Sequence, residues 1–163
     1  MSDLHCPARV FLARHADTSY DGGERLTAAG EQQTRDLAAR LRGERLAGVH
    51  ASVMPRAAQT AQVAAAALGL EVELHDGLAE VGVESEDAVV ERVSAALAGI
   101  ADLYRGEAVL VVGHQAALGL TLRRLLAGAP TVGLDPGEVV ALEHDADGWA
   151  LRSARTDTSA GKN

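Results

Sequence analysis

Val10-Phe11-Leu12-Ala13-Arg14-His15-Ala16-Asp17-Thr18 is the stretch around which the chain is organised. Apolar residues run without a break into an Arg-His pair, and small and polar residues follow. Such a run predicts a short buried strand that carries two charged or titratable side chains to its C-terminal end, where open α/β sheets place their ligands. Val109-Leu110-Val111-Val112-Gly113 has the same form and ends on His114. Two strands that each end on a histidine point to one shared site.

Outward from these strands, helical and extended patterns alternate. Turn chemistry at Asp21-Gly22-Gly23 predicts a loop over the end of the first strand. Thr27 is placed to cap a helix running to about Arg42, with Leu37, Ala38 and Leu41 as its apolar stripe. Leu46–Ala51 reads as a strand leading to Ser52. Pro55 fits only the first turn of an alanine-rich helix that Gly69 stops, so Arg56 falls near that helix's N-terminus. Val72 and Leu74 mark a third strand, and His75–Ser85 a loop rich in acids and glycine. A helix from about Glu86 buries Val89, Val90, Val93, Leu97, Ile100 and Ala101 on one face. The unbroken apolar run Ala108–Gly113 implies a strand buried on both faces, as at the centre of a parallel sheet. A helix over Ala116–Leu126, closed by Gly128 and Pro130, follows, and Val139–Leu142 with Trp149–Leu151 predicts a final hairpin. The expected fold is α/β, a mainly parallel central sheet with helices on both faces and right-handed crossovers. Residues 1–152 form one domain, and residues 153–163 a polar, disordered tail.

The chain of 163 residues is long enough to bury a core without disulfides. Only Phe11, Tyr20, Tyr104 and Trp149 are aromatic, so that core must be built of Ala, Val and Leu. A formal charge of −8 argues against nucleic acid or anionic membrane as general partners. Cys6 is alone and can form no intrachain disulfide, there is no signal-like apolar segment, and no run suits a membrane span. A cytoplasmic location is expected. His5, His50, His75 and His144 match no motif and read as surface residues.

Arg14, His15, Arg56 with Ser52 close by, Glu80 and His114 all fall at strand ends or helix starts. Two arginines and two histidines suit a tetrahedral oxyanion such as phosphate, because a guanidinium donates paired hydrogen bonds to it. Two helix N-termini would add dipoles of the same sign. A neutral imidazole is nucleophilic near neutral pH and can accept a phosphoryl group, while the cations stabilise charge on the transferring oxygens. A carboxyl group must protonate the leaving oxygen. Glu80 is the first candidate, with Glu84, Glu86 and Asp87 as rivals. A metal centre of His15, Asp17 and His114 is an alternative on ligand type alone.

Leu12–Thr18 resembles the Arg-His-Gly/Ala signature of the histidine phosphatase superfamily, which includes phosphoglycerate-mutase-like enzymes. Leu26-Thr27-Ala28-Ala29-Gly30, Ser52–Ala61, Leu78-Ala79-Glu80 and Val111-Val112-Gly113-His114 follow in that family's order. The resemblance covers roughly residues 9–126. It implies a phosphoglycerate-mutase-like fold and a phosphoric monoester hydrolase of the histidine acid phosphatase type. His15 would form a phosphohistidine, Arg14, Arg56 and His114 would bind phosphoryl oxygens, and Glu80 would donate the proton, with neither metal nor cofactor. Asp21 and Thr27 would belong to a substrate loop, although Thr27 also serves as a cap. Ala16 stands where glycine is commoner, as in the phosphohistidine-phosphatase branch. Asp21 and the short stretch between Glu80 and Arg92 depart from the sugar-phosphate members, which carry a longer capping insertion. The expected partner is therefore a phosphorylated small molecule or a phosphoprotein, admitted to an open pocket. A non-catalytic phospho-ligand binder and a phosphoglycerate mutase are the competing functions.

Overall fold

The computed structural model describes residues 6–127 and 134–153. The expected closure of the fourth helix by Gly128 and Pro130, His5, and the polar tail beyond residue 153 lie outside that range. A six-stranded mixed sheet forms the centre. Its strands are β1 (Ala8–Arg14), β4 (Leu46–Ser52), β5 (Val72–His75), β6 (Ala108–Gly113), β7 (Val139–Asp145) and β8 (Gly148–Ser153), in the order β5-β4-β6-β1-β7-β8. The first four in that order are mutually parallel, and β7 and β8 add on antiparallel. β6 lies between β4 and β1 and is buried along its whole length, as its unbroken apolar run requires. A ribbon of two-residue strands, β2 (Thr18–Ser19) and β3 (Arg25–Leu26), interrupts the expected loop.

The two-residue period of β1 divides the core. Phe11 and Ala13 face α1 (Ala28–Leu41) and α2 (Pro55–Leu68), whereas Val10 and Leu12 face α3 (Glu86–Leu103) and α4 (Gln115–Leu125). α1 and α3 bury their foreseen stripes. In α3 the buried residues are the six named from periodicity, and in α1 Leu37, Ala38 and Leu41 are buried with Gly30 and Thr34. α2 presents Ala57, Ala61, Ala64 and Ala65 to the sheet, and this small-residue face brings its backbone, with Arg56, close to the strand ends. The helix stops where Gly69 takes up φ 71°. Among the described residues no helix is long and apolar enough to cross a membrane.

Candidate active site

The C-terminal ends of β1, β4 and β6 open on one side of the sheet, and the side chains singled out from the sequence collect there. Arg14, His15, Tyr20, Arg56, Glu80, Gln115 and Ala116 line a pocket of about 420 Å³. His15 follows β1 and is held by its own N–H, which donates to the carbonyl of Gly113 at the end of β6 (2.9 Å). The ring Nδ1 lies 2.9 Å from the carbonyl of Ala16. A carbonyl only accepts, so Nδ1 carries the proton and Nε2 keeps its lone pair. Arg56 Nε donates to that Nε2 at 3.2 Å. Burial, followed by the charges of Arg56 and Arg14, outweighs the carbonyl bond and Glu24 and sets the His15 pKa below the ordinary 6.5. The imidazole is therefore neutral near pH 7.

Hydrogen bonds from α2 fix the loop after His15. Thr60 Oγ1 accepts from the Ala16 N–H at 3.0 Å and donates to the Arg56 carbonyl at 2.8 Å. Gln59 accepts from Leu26 N–H and donates to the Glu24 carbonyl. Thr27 caps α1 as foreseen, accepting from Gly30 N–H at 2.9 Å, and donates to Asp17 Oδ2 at 2.6 Å. Thr27 and Asp17 are thus bonded to each other, and Asp21 is exposed in a turn. Tyr20, instead of Asp21 or Thr27, is the residue of this loop that lines the pocket.

Glu24 carries no periodicity or motif that would mark it, yet it is central. Its Oε1 accepts from the Arg56 N–H and from Arg56 NH1, each at 2.9 Å. Burial raises its pKa, but these bonds and the Arg56 charge prevail and hold the carboxyl below its usual range. Glu80 plays the equivalent part at α4. Its Oε1 accepts from Val81 and Ala117 N–H (2.9 and 2.8 Å), and its Oε2 from Ala116 N–H at 3.3 Å. Burial is again the largest influence and acts upward, but the three backbone donors and His114 together lower the pKa. Both helix N-termini expected to face an anion are thus occupied by carboxylates of this chain.

The rivals to Glu80 lie elsewhere. Glu84 is bonded to Arg92 (2.6 Å), Asp87 pairs with Arg124 (2.5 Å), and Glu86 lines an adjacent hollow. Arg92, noted in the sequence only as a helix marker, donates to the carbonyls of Gly77, Ala79 and Glu80. It fastens the Glu80 loop directly onto α3, and only a short turn capped by Ser85 intervenes.

His114 is fully buried beneath the pocket, its ring centroid 5.4 Å from that of His15. Nε2 lies 2.8 Å from Ser52 Oγ, and that hydroxyl accepts from Met54 N–H. Ser52 therefore bonds a histidine and a backbone amide, and it does not cap α2, whose N-cap is Met54. Burial first, and then the Arg56 charge, push the His114 pKa down to about 4. His114 Nδ1 and Arg14 Nε are buried without a hydrogen-bond partner. Arg14 Nε is a donor, and His114 Nδ1 is one whenever Ser52 O–H donates to Nε2; such buried groups beside one pocket need a partner.

His15, Asp17 and His114 do not gather as metal ligands: His15 Nδ1 and the Asp17 carboxylate are bonded within the loop. His50 was expected at the surface and is instead only 3% exposed, because Tyr104 and His75 cover it.

The sequence pattern described as the histidine phosphatase superfamily (branch 1) is matched by residues 10–84 and 81–157. A protein named "Probable phosphoglycerate mutase GpmB" from Enterobacter sp. (strain 638) is 29% identical, with 72% of this chain and 74% of that protein covered. Phosphoglycerate mutase from Bacillus anthracis str. Sterne superposes with a TM-score of 0.82 at 13% identity, covering 95% of this chain and 96% of its own. The protein histidine phosphatase SixA, in complex with tungstate, superposes with a TM-score of 0.73 at 24% identity, covering 90% and 97%. These superpositions establish the fold.

Proposed function

The chain belongs to the histidine phosphatase superfamily, and from that membership we propose that it hydrolyses phosphomonoesters, or phosphohistidine on proteins, through a phosphohistidine on His15. The observation that carries this reading is the His15 tautomer. Nδ1–H is committed to the Ala16 carbonyl. The unprotonated Nε2, which accepts from Arg56 Nε at 3.2 Å until a phosphoryl group takes that donor over, sits in a pocket lined by Arg14 and Arg56. Nε2 attacks phosphorus, the bond from phosphorus to the leaving oxygen of an ester, or to the leaving imidazole nitrogen of a phosphohistidine, breaks, and Glu80 protonates that atom. Water then attacks the phosphohistidine, Nε2 is released, and the water's proton passes to the Glu80 carboxylate.

Arg14 and Arg56 hold the phosphoryl oxygens in this reading. His114 is neutral; when Ser52 O–H donates to its Nε2, its proton sits on Nδ1, the atom that otherwise has no partner. Glu80 in its resting state is an ionised helix cap, and an incoming phosphoryl dianion raises its pKa by like-charge repulsion. The proton donor is thus made by the substrate. Beside the pocket, sharing Gln115 and Ala116, a hollow of about 440 Å³ offers apolar walls from Val81, Leu120 and Leu134 and charge from Arg123. It provides room for a leaving group larger than a triose.

The decisive experiment is hydrolysis of an aryl phosphate between about pH 5 and 8, with and without chelator, comparing wild type with His15→Ala. Chelator-resistant turnover that falls by roughly a thousandfold or more in the variant, with Tm preserved, is the expected result. Undiminished turnover in His15→Ala would overturn the reading. The mutase name borne by the 29% identical relative favours phosphoglycerate mutase as a second reading. A coupled mutase assay separates the two.

A further inference from the structure

At the edge of the sheet, outside the lining of the phosphoryl pocket, three side chains with metal-ligating atoms meet. His50 of β4 lies directly opposite Glu73 of β5, and His75 lies two residues further along β5. The two-residue period of paired strands therefore puts all three on one face. His50 Nδ1 is 2.7 Å from His75 Nε2 and 3.3 Å from Glu73 Oε2, and His75 Nε2 is 3.6 Å from that oxygen. Among the described residues these are the only three His, Cys, Asp or Glu side chains so grouped. None of them lines the phosphoryl pocket.

We propose that His50, Glu73 and His75 bind a borderline divalent transition metal, Zn²⁺ being the occupant their chemistry suits best. Two imidazoles and one carboxylate favour zinc, cobalt, nickel or copper over magnesium or calcium. Tetrahedral zinc, with bonds of about 2.0–2.1 Å, sets its ligand atoms roughly 3.3 Å apart. Two of the three separations are already close to that value. The third, between the imidazoles, opens by well under 1 Å when the metal replaces the proton the two rings share.

The surroundings of His50 complete the case. Its other nitrogen, Nε2, lies 2.7 Å from the Tyr104 hydroxyl. Ligating histidines characteristically donate their outer N–H to such an acceptor, which fixes the tautomer and turns the inner lone pair toward the metal. Gly48 makes room for that hydroxyl: a Cβ there would meet it at 2.2 Å. The buried His50 and the half-buried His75 thus form the base of the site, and the exposed Glu73 completes it on the solvent side. The fourth position belongs to water, as in open three-ligand zinc sites. A metal here ties edge strand β5 to β4 and stabilises the folded chain.

The test is to strip the full-length protein with chelator, desalt it into phosphate-free buffer, and titrate it with Zn²⁺ alone, with Co²⁺ as a spectroscopic probe. The expected result is one Zn²⁺ per chain, a rise in Tm, and the intense visible bands of tetrahedral Co²⁺. His75→Ala, at the half-buried sheet edge, should weaken binding at least tenfold and abolish the rise in Tm. Glu73→Gln should weaken binding by less, and His15→Ala should leave it unchanged. No uptake at micromolar Zn²⁺ would overturn the proposal. So would one-to-one binding that survives both His75→Ala and Glu73→Gln, or that disappears with His15→Ala.

Discussion

Glu80 has two demands to meet at the level of a single side chain. It accepts two N–H groups of the first turn of α4 and that of Val81, while the proposed reaction asks the same carboxyl to give up a proton. Glu80→Gln keeps an acceptor for the helix and removes the acid. It should cost on the order of 1 kcal/mol of stability through the lost charge at the helix N-terminus. Phosphorylation of His15 by alkyl phosphates should slow by about 10²–10⁴, whereas phosphorylation by aryl phosphates with acidic leaving groups, which need no proton, should be nearly unaffected. The phosphoenzyme should then accumulate, because its hydrolysis also uses the Glu80 carboxylate. Single-turnover phosphoenzyme formation across a leaving-group series, on wild type and variant, checks this, and a uniform slowing of that step would remove Glu80 from the role of acid. Glu24 is a positioning residue by the same geometry: its two bonds to Arg56 aim the guanidinium at His15 Nε2.

Among the elements, α1 determines where the loop after β1 can lie. Gly30 opens the first turn of α1 against the backbone of Asp17, and a Cβ at position 30 would stand 2.1 Å from the Asp17 carbonyl oxygen. Backbone cannot swing aside as a flexible side chain can, so Gly30→Ala must separate helix from loop. A loss of about 1–3 kcal/mol is expected. The Thr27 contacts to Asp17 would break, and activity should fall with stability because the loop carries Ala16, whose carbonyl sets the His15 tautomer. Urea denaturation together with the aryl-phosphate assay checks both parts. Gly99→Ala, on the exposed side of α3, is the control, since a Cβ there meets nothing within 4 Å.

Over the whole molecule, the buried histidines make acid destabilising. A histidine whose native pKa is depressed binds its proton in the unfolded chain first, so stability is complete above the unfolded value and is lost as pH falls toward the native one. For His114 that window runs from 6.5 down to about 4, and the loss across it is on the order of 3 kcal/mol. His15 and His50, also depressed, act with the same sign. Below the ordinary carboxylate range Glu24 and Glu80 add to the loss as they protonate. Tm should therefore fall steadily from pH 7 to 4, and His114→Gln should flatten that slope. A Tm profile of unchanged slope in the variant would show that the His114 ring is not what titrates.

Strand and helix positions, the division of the core between two sheet faces, and the gathering of Arg14, His15, Arg56 and Glu80 followed from the sequence. Apolar periodicity and strand-end placement are local properties, and a parallel α/β sheet converts them into one rim. The parts Glu24, Arg92 and Tyr20 play there were not legible, because each depends on a partner far along the chain and sits in a segment without periodicity. The same holds for His50, which lies in a run that reads as an ordinary strand. Its burial and its meeting with Glu73 and His75 exist only because β5 pairs with β4 in that register. Local pattern therefore determined which elements form and which strand ends carry Arg14, His15 and His114. Tertiary structure alone decided which carboxylates cap the helices and which histidines touch, since those contacts depend on strand register and loop closure over tens of residues.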